Sequence, residues 1–274
     1  MTFSHEMLLA EEILYTANEW WIFAGLLVLM LVATEIGSWM GRRIRARLGD
    51  HAVSQITTIE GGVLGLLALL LAFTFSMSVA RYDSRRELVV KEANAIGTAA
   101  LRAQLLPEPA RGDAAALFRQ YVASRIELAH AAGDVNRWQA SMITTERLQQ
   151  QLWAVASSSL RSEPQNLGLS LLVASMNEVI DVHGERLAAH RNHVPEVILR
   201  LEMLVAIFAT GLVGYGSGVG GLRYRISTTM LAVVIPAVIL LIIDLDRPGH
   251  GMIRVSQAAI EELRQSLETA SPAP

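Results

Sequence analysis

The stretch from Glu60 to Leu106 constrains this chain most, because an apolar run and a charged run follow each other in it without a break. The first half, EGGVLGLLALLLAFTFSMSVA, holds the roughly 20 apolar residues that a membrane-spanning helix needs. The second half, RYDSRRELVVKEANAIGTAALRAQLL, repeats apolar residues at helical spacing. Pro107 and Pro109 end the pattern. The stretch therefore predicts one long helix that leaves the membrane and enters a soluble helical bundle.

Composition supports a chain that is partly in lipid and partly in water. Of its 274 residues, 52% are hydrophobic and 18% are charged, and the mean hydropathy is +0.36. A net charge of -3 disfavours nucleic acid as a partner. The absence of cysteine excludes disulfides, a thiolate metal site and a cysteine nucleophile. No Lys or Arg precedes the first apolar run, so that run is predicted to be a retained span and not a cleaved signal peptide.

The predicted fold class is all-α: an integral membrane protein with four transmembrane helices and a soluble helical bundle between spans two and three. A short amphipathic helix is expected over 5–18, and a short helix is expected over 257–267. The predicted domains are 1–80, 81–193, 194–243 and a tail, 244–274. The predicted spans are 20–40, 61–80, 198–216 and 226–243, and the predicted bundle helices are 81–106, 110–132, 137–161 and 168–192.

The side of the membrane on which the bundle lies has two opposed indications. The short loops between spans one and two and between spans three and four hold six arginines, which favours a cytoplasmic position for both loops and a periplasmic bundle. Against this, Arg81, Arg85, Arg86 and Lys91 crowd the other end of span two. Charges in long domains count for less, so the short loops slightly favour the periplasm.

Two carboxylates fall within or beside the predicted spans, Glu35 in span one and Glu60 at the edge of span two. A charge at the centre of a spanning helix costs on the order of 3 kcal/mol, so Glu35 is expected to face protein or water. Either residue is a candidate for a pore, ion or proton site. The alternative for both is a hydrogen-bonded carboxyl that holds helices together or lies at the interface.

A polar stripe runs down the end of span two, where Thr74, Ser78, Arg81 and Arg85 lie on one helix face. Around a symmetry axis this stripe, with Glu60, would line a vestibule that ends in rings of arginine and attracts anions. The alternative is more common. In it the hydroxyls bond to their own helix and the arginines reach lipid phosphates.

Glycines give two further patterns. Val213-Gly214-Tyr215-Gly216 spells most of a potassium-channel filter, but Leu212 replaces its leading threonine and no re-entrant helix precedes it, so chance is favoured. Gly61, Gly62 and Gly65 are instead typical of close contact between helices.

Polar clusters outside the spans indicate no enzyme. His183, His190 and His193 with Glu185 could approach a metal site, but a solvated polar face is favoured. Asp244 and Asp246 stand beside Arg247, where a local ion pair is favoured over a cation site. No phosphate loop, zinc-protease motif or nucleophile elbow is present. No catalytic residue, metal or cofactor is predicted.

Two segments carry a resemblance to a known family. LLALLLAFTFSMSVARYDSRRELVVKEANAIGTAALRAQLLP and LLIIDLDRPGHGMIRVSQ resemble the bestrophin-like integral membrane proteins of bacteria, a family of unassigned function. The resemblance implies four spans in the bacterial inner membrane with a helical domain between spans two and three. By analogy with true bestrophins, which are pentameric chloride channels, it implies a homo-oligomeric anion channel with a cytoplasmic bundle. The bulky neck with its intervening proline and the acidic calcium cluster of those channels have no counterpart here.

Two functions follow as hypotheses. The first is a channel of several identical chains in the lipid bilayer, lined by span two and permeable to an anion. The second is a membrane-anchored sensor or scaffold whose bundle binds a protein partner, without transport. A membrane enzyme is the least favoured.

Overall fold

The computed structural model describes residues 18–47, 50–131, 133–221, 225–247 and 251–269. These residues form eight α-helices and one short 3-10 turn, without a strand among them, and the predicted all-α class is confirmed. The predicted amphipathic helix over 5–18 lies outside the described residues except for Asn18. The elements are α1 (Glu19–Ile44), the 3-10 turn (Arg45–Arg47), α2 (Asp50–Ala103), α3 (Ala110–His130), α4 (Val135–Ser162), α5 (Leu167–Arg191), α6 (Glu196–Gly220), α7 (Arg225–Asp246) and α8 (Ala258–Thr269).

Four helical stretches of the described chain are long and apolar enough to cross a membrane. The long helix predicted from span two is α2, which is continuous over 54 residues, more than twice the length that a span needs. It begins at Asp50, earlier than the predicted 61, and α1 continues to Ile44. Both extensions include charged residues, so the helices continue beyond the apolar runs that indicated them.

The chain forms two compact units, the first comprising Met1–Ala80 and His193–Arg247 and the second Arg81–Asn192 and Pro248–Pro274. In the first, the membrane unit, α1 packs against α6 and α7. Its core is aliphatic and includes the fully buried Met30, Leu199 and Ile242.

Glycines bring α1 and α6 into backbone contact. A Cβ built on Gly37 would lie 2.0 Å from the carbonyl oxygen of Gly211, and one on Gly214 would lie 2.1 Å from that of Thr34. Gly41 and Gly218 face equally close backbone atoms. Small residues allow such approach, which gains dispersion energy in lipid where the hydrophobic effect is absent.

The glycine-rich segment GSGVGGLRYR contains the end of one helix and the start of the next. α6 continues to Gly220 and ends at Gly221, whose φ of 73° is left-handed, and α7 begins at Arg225. The filter-like Val213–Gly216 segment is therefore regular helix. Gly61, Gly62 and Gly65 were expected at a helix contact, yet a Cβ on any of them would meet no described atom within 4 Å.

The second unit, the bundle, is built from Arg81–Ala103 of α2 together with α3, α4, α5 and α8. Its core contains the stripe that the sequence predicted on α2, including Val89 and Ile96, which packs with Phe118 and Met176. Asp134 caps α4 by accepting hydrogen bonds from the backbone N–H groups of Asn136 and Arg137, both at 3.0 Å. The helix of the tail also belongs here, because Ile260 is completely buried in this core.

Candidate functional site

The polar stripe predicted on span two lies on the buried face of α2. Thr74 and Ser78 are 4% and 0% exposed within a single protomer. The hydroxyl of Thr74 donates a hydrogen bond to Oε1 of Glu202 on α6, at 2.7 Å, and Glu202 is itself 1% exposed. The bond from Thr74 to Glu202 indicates that this hydroxyl holds α2 to α6. Ser78 is buried on the same face, and a pore-lining role for either residue would require a conformation in which it is accessible.

Replacing Thr74 with valine tests this packing role. Valine keeps the shape but removes the donor, so Glu202 would remain buried with one hydrogen bond fewer. We expect the free energy of unfolding to fall by about 1–3 kcal/mol, the usual cost of an unsatisfied buried polar group. SDS titration in mixed micelles measures this change. Ser76→Ala, an exposed hydroxyl in the same turn, is the control and should change little. Equal effects of the two substitutions would contradict the assignment.

Glu60 and Arg85, two further predicted site residues, lie away from the contact between Thr74 and Glu202. The carboxylate of Glu60 lies against Gly216, where an added Cβ would be 1.6 Å from Oε1. Arg85 is 7% exposed and donates from Nε to the carbonyl of Ala189 and from Nη2 to that of Asn192, both at 3.3 Å. Cations at the C-terminal end of a helix stabilise its dipole, so this arginine closes the end of α5.

Glu35 and Arg81 complete the predicted set. Glu35 is exposed on α1 in the single protomer and Arg81 is half-buried at the end of the membrane half of α2. The pore-lining role of Glu60 and Arg81 and the intramembrane role of Glu35 stay predictions.

Another face of α2, about a quarter turn around the helix from the Thr74 stripe, presents apolar side chains to the surface. Leu66, Leu69, Phe73 and Met77 are 52%, 52%, 60% and 39% exposed. Their spacing of three and four residues places them on one side of the helix, away from Thr74. This exposed face is available to lipid, to another copy of the chain or to a lumen.

An ion-pair network lies in the core of the bundle. Glu92 on α2 is completely buried and pairs with two arginines, Arg125 on α3 and Arg186 on α5. Nε of Arg125 lies 2.8 Å from Oε1 of Glu92. Burial acts to raise the pKa of Glu92, but the two guanidinium groups outweigh it and hold the pKa below its ordinary value. The carboxylate is therefore charged at neutral pH.

Two further titratable groups adjoin this network. Burial raises the pKa of Tyr121 to about 12, and its hydroxyl accepts a hydrogen bond from Nε2 of Gln149 at 2.9 Å. Burial, helped by the charge of Arg125, lowers the pKa of His183 to about 4. Both side chains are therefore neutral at pH 7.

Sequence reasoning missed this network. In the sequence, the network was indicated only by the position of Glu92 on the apolar face of α2, next to Ala93 and three residues after Val89. A charge at such a position requires a partner, but the partners lie 33 and 94 residues further along the chain at Arg125 and Arg186.

Two of the clustered histidines pack against other side chains of the bundle. His183 is 7% exposed, so the expected solvated face is wrong for this residue. His190 stacks on Trp138 with ring centroids 6.0 Å apart. The described residues hold no group of three or more His, Cys, Asp or Glu side chains placed to bind a metal.

At the end of α7, Asp246 and Arg247 contact other membrane helices, and the local ion pair expected there stays a prediction. Asp246 accepts a hydrogen bond from the backbone N–H of Val194 at 2.7 Å, and Nη1 of Arg247 lies 3.8 Å from Oε2 of Glu19 on α1. These contacts tie the ends of three membrane helices together, so Asp246 and Arg247 have a structural role.

Comparisons with known proteins agree with this architecture. The model of the Bestrophin-like domain matches residues 28–260. A bacterial bestrophin homologue from Klebsiella pneumoniae has a TM-score of 0.66 and 15% identity, covering 94% of this chain and 100% of that chain. A variant of the Klebsiella homologue has a TM-score of 0.68 and 15% identity, covering 89% and 96%. No curated protein matches the sequence.

Proposed function

Since this chain belongs to the bestrophin-like family, we propose that it assembles with copies of itself into a channel for small anions in a bacterial cell membrane. Four apolar helices place the chain in a bilayer. The anion and the symmetric ring come from the family resemblance, and the lining helix comes from the exposed surface of the protomer.

The exposed apolar face of α2 carries this proposal. Within the protomer, 17% of the apolar stretch of α2 is buried, the same share as in α1, against 39% for α7. Leu69 and Phe73 lie one turn apart on that face and would form successive narrow rings around an axis. Apolar constrictions gate ion flow by dewetting. Gly62 and Gly65, beside which a Cβ would meet open space, leave room for a neighbouring helix.

Arg81, the first residue after the membrane half of α2, supplies the predicted preference for anions. A ring of arginines at the mouth of a pore raises the local concentration of anions. Glu60, at the other end of the same span, was also predicted to line the pore, but its carboxylate lies against Gly216 of α6 and not on the side of Phe73, so this proposal does not rely on it.

Replacing Phe73 with serine is expected to raise anion flux in liposomes that contain an iodide-sensitive dye. A polar ring wets more easily, and lowering the barrier by about 1.4 kcal/mol raises the rate tenfold. The control is Phe208→Ser on α6, because Phe208 is similarly exposed, at 68% against 60% for Phe73. Equal flux through the two variants would contradict a lining role for Phe73.

Cysteine substitutions at Phe73 and Phe208 test whether α2 surrounds the axis, without a measurement of ion conduction. The chain has no cysteine, so Phe73→Cys introduces a single thiol. If α2 surrounds the axis, oxidation should give disulfide-linked dimers of Phe73→Cys and far fewer of Phe208→Cys. A monodisperse oligomer with neither cross-linking nor flux would overturn the channel proposal.

A membrane-anchored sensor or scaffold is the second candidate function. It is favoured by a cavity of about 510 Å³ inside the bundle, a volume typical of small-molecule sites. The absence of flux in the experiments above, together with ligand or partner binding by the bundle, would support this alternative.

A further inference from the structure

Cationic groups contribute to the lining of the bundle cavity. Arg85, Arg125, Arg186 and Arg254 contribute to its wall, whereas Glu261 is the single carboxylate among its lining residues. Glu92 pairs with Arg125 and Arg186 from the adjoining core. The two arginines share this one carboxylate, so these three groups together carry one net positive charge at the wall. A site of this charge favours an anion.

Arg125 keeps unused hydrogen-bonding capacity at this wall. The residue is 4% exposed, and its Nε is used in the pair with Glu92. Its Nη1 is buried and has no hydrogen-bond partner in the part of the chain that the structure describes. Buried donors are normally satisfied, and a carboxylate that accepts from a guanidinium group matches its planar geometry.

His183 provides a second and independent observation. It also lines the cavity and is 7% exposed. Its Nδ1 is buried, and across the described ranges no group forms a hydrogen bond with it. Two polar side chains from different helices, α3 and α5, therefore leave buried nitrogen atoms unsatisfied at the wall of one cavity.

Aromatic and aliphatic side chains form another part of the lining. The rings of Trp138 and His190 are stacked with an interplanar angle of 18°. Val89 and Met142 add aliphatic surface. An inorganic anion would leave this surface uncovered, whereas a planar apolar body would cover it. Most small-molecule sites combine an apolar wall with a few polar groups in this way.

We propose that the bundle cavity binds a small organic anion, an aryl carboxylate whose acid group pairs with the arginine wall and whose ring lies against Trp138 and His190. The site is distinct from the pore, and its occupancy is measured independently of conduction. Failure of the channel proposal would therefore leave this one standing, and the reverse also holds.

Equilibrium dialysis of the full-length protein in lipid nanodiscs tests the site, with benzoate and 2-naphthoate as probes and protein-free nanodiscs as the blank. We expect saturable binding of one probe molecule per chain. The uncharged amide 2-naphthamide should bind about tenfold more weakly or worse, because it loses the charge-assisted pairing. Binding of neither carboxylate, or equal binding of the amide, would overturn the proposal.

Variants locate the bound probe without disturbing the buried network. Arg254→Gln and Trp138→Ala each change a residue of the wall and should weaken binding about tenfold or more. Arg147→Gln and Trp153→Ala are the matched controls, since both residues lie on α4 and neither lines the cavity. If the control variants weaken binding as much as the wall variants, the ligand lies elsewhere and the assignment is overturned.

Discussion

Replacing Gly214 with alanine is expected to lower the free energy of unfolding of the membrane unit by about 3 kcal/mol, the upper end of the usual cost of overpacking. The added Cβ would lie 2.1 Å from the carbonyl oxygen and 2.8 Å from the carbonyl carbon of Thr34. These are backbone atoms of α1, so no side chain can rotate away, and the two helices must separate. SDS titration in mixed micelles measures the loss.

Gly25→Ala is the matched control for this prediction. Gly25 also lies on α1, but a Cβ there would meet nothing within 4 Å. Because alanine is better than glycine in a helix by about 1 kcal/mol, this variant should be neutral or slightly more stable. If the two alanine variants unfold alike, the close packing of α1 on α6 is not what stabilises the unit.

Replacing Glu92 with alanine is expected to have the largest effect within the bundle. The substitution leaves two guanidinium groups, Arg125 and Arg186, without their shared carboxylate in the core. Breaking a buried ion pair by removing one partner costs about 3–5 kcal/mol. Thermal unfolding followed by circular dichroism measures the change.

The pH dependence of the same variant gives a second measurement. The folded-state pKa of Glu92 is lowered from an ordinary value of 4.5, so the carboxylate stabilises the fold fully above that value. This contribution disappears as the pH falls through the lowered pKa. Glu92→Gln, which cannot titrate, should therefore lose less stability on acidification than the unmodified protein.

Glu185→Gln is the control for the network. Glu185 pairs with Lys91 at 2.8 Å, but both side chains are nearly half exposed. Water and salt screen such a pair, so its loss should have little effect on unfolding. A loss as small for Glu92→Ala as for Glu185→Gln would show that the buried network does not stabilise the bundle.

The sequence alone determined the helical class and the membrane helices. Each of these properties depends on neighbours along the chain. The length of an apolar run determines whether a helix can span a bilayer. The spacing of Val89, Ala93 and Ile96 determines which face of α2 is buried in the bundle. The end of this helix before Pro107 also depended on neighbouring residues, since α2 ends at Ala103 and a turn follows.

Only the tertiary structure decided which polar residues are buried and where glycine is required. Thr74 and Ser78 belong to a polar stripe in the sequence, yet this stripe is buried, and Thr74 bonds to Glu202, 128 residues further along the chain. Gly214 and Gly218 disfavour helix by their local preference, but their close contact with the backbone of α1 explains why α6 needs glycine there. The partners of Glu92 are equally distant along the chain. Helical periodicity identifies a face of a helix, whereas the atoms opposite that face come from remote segments that only folding brings together.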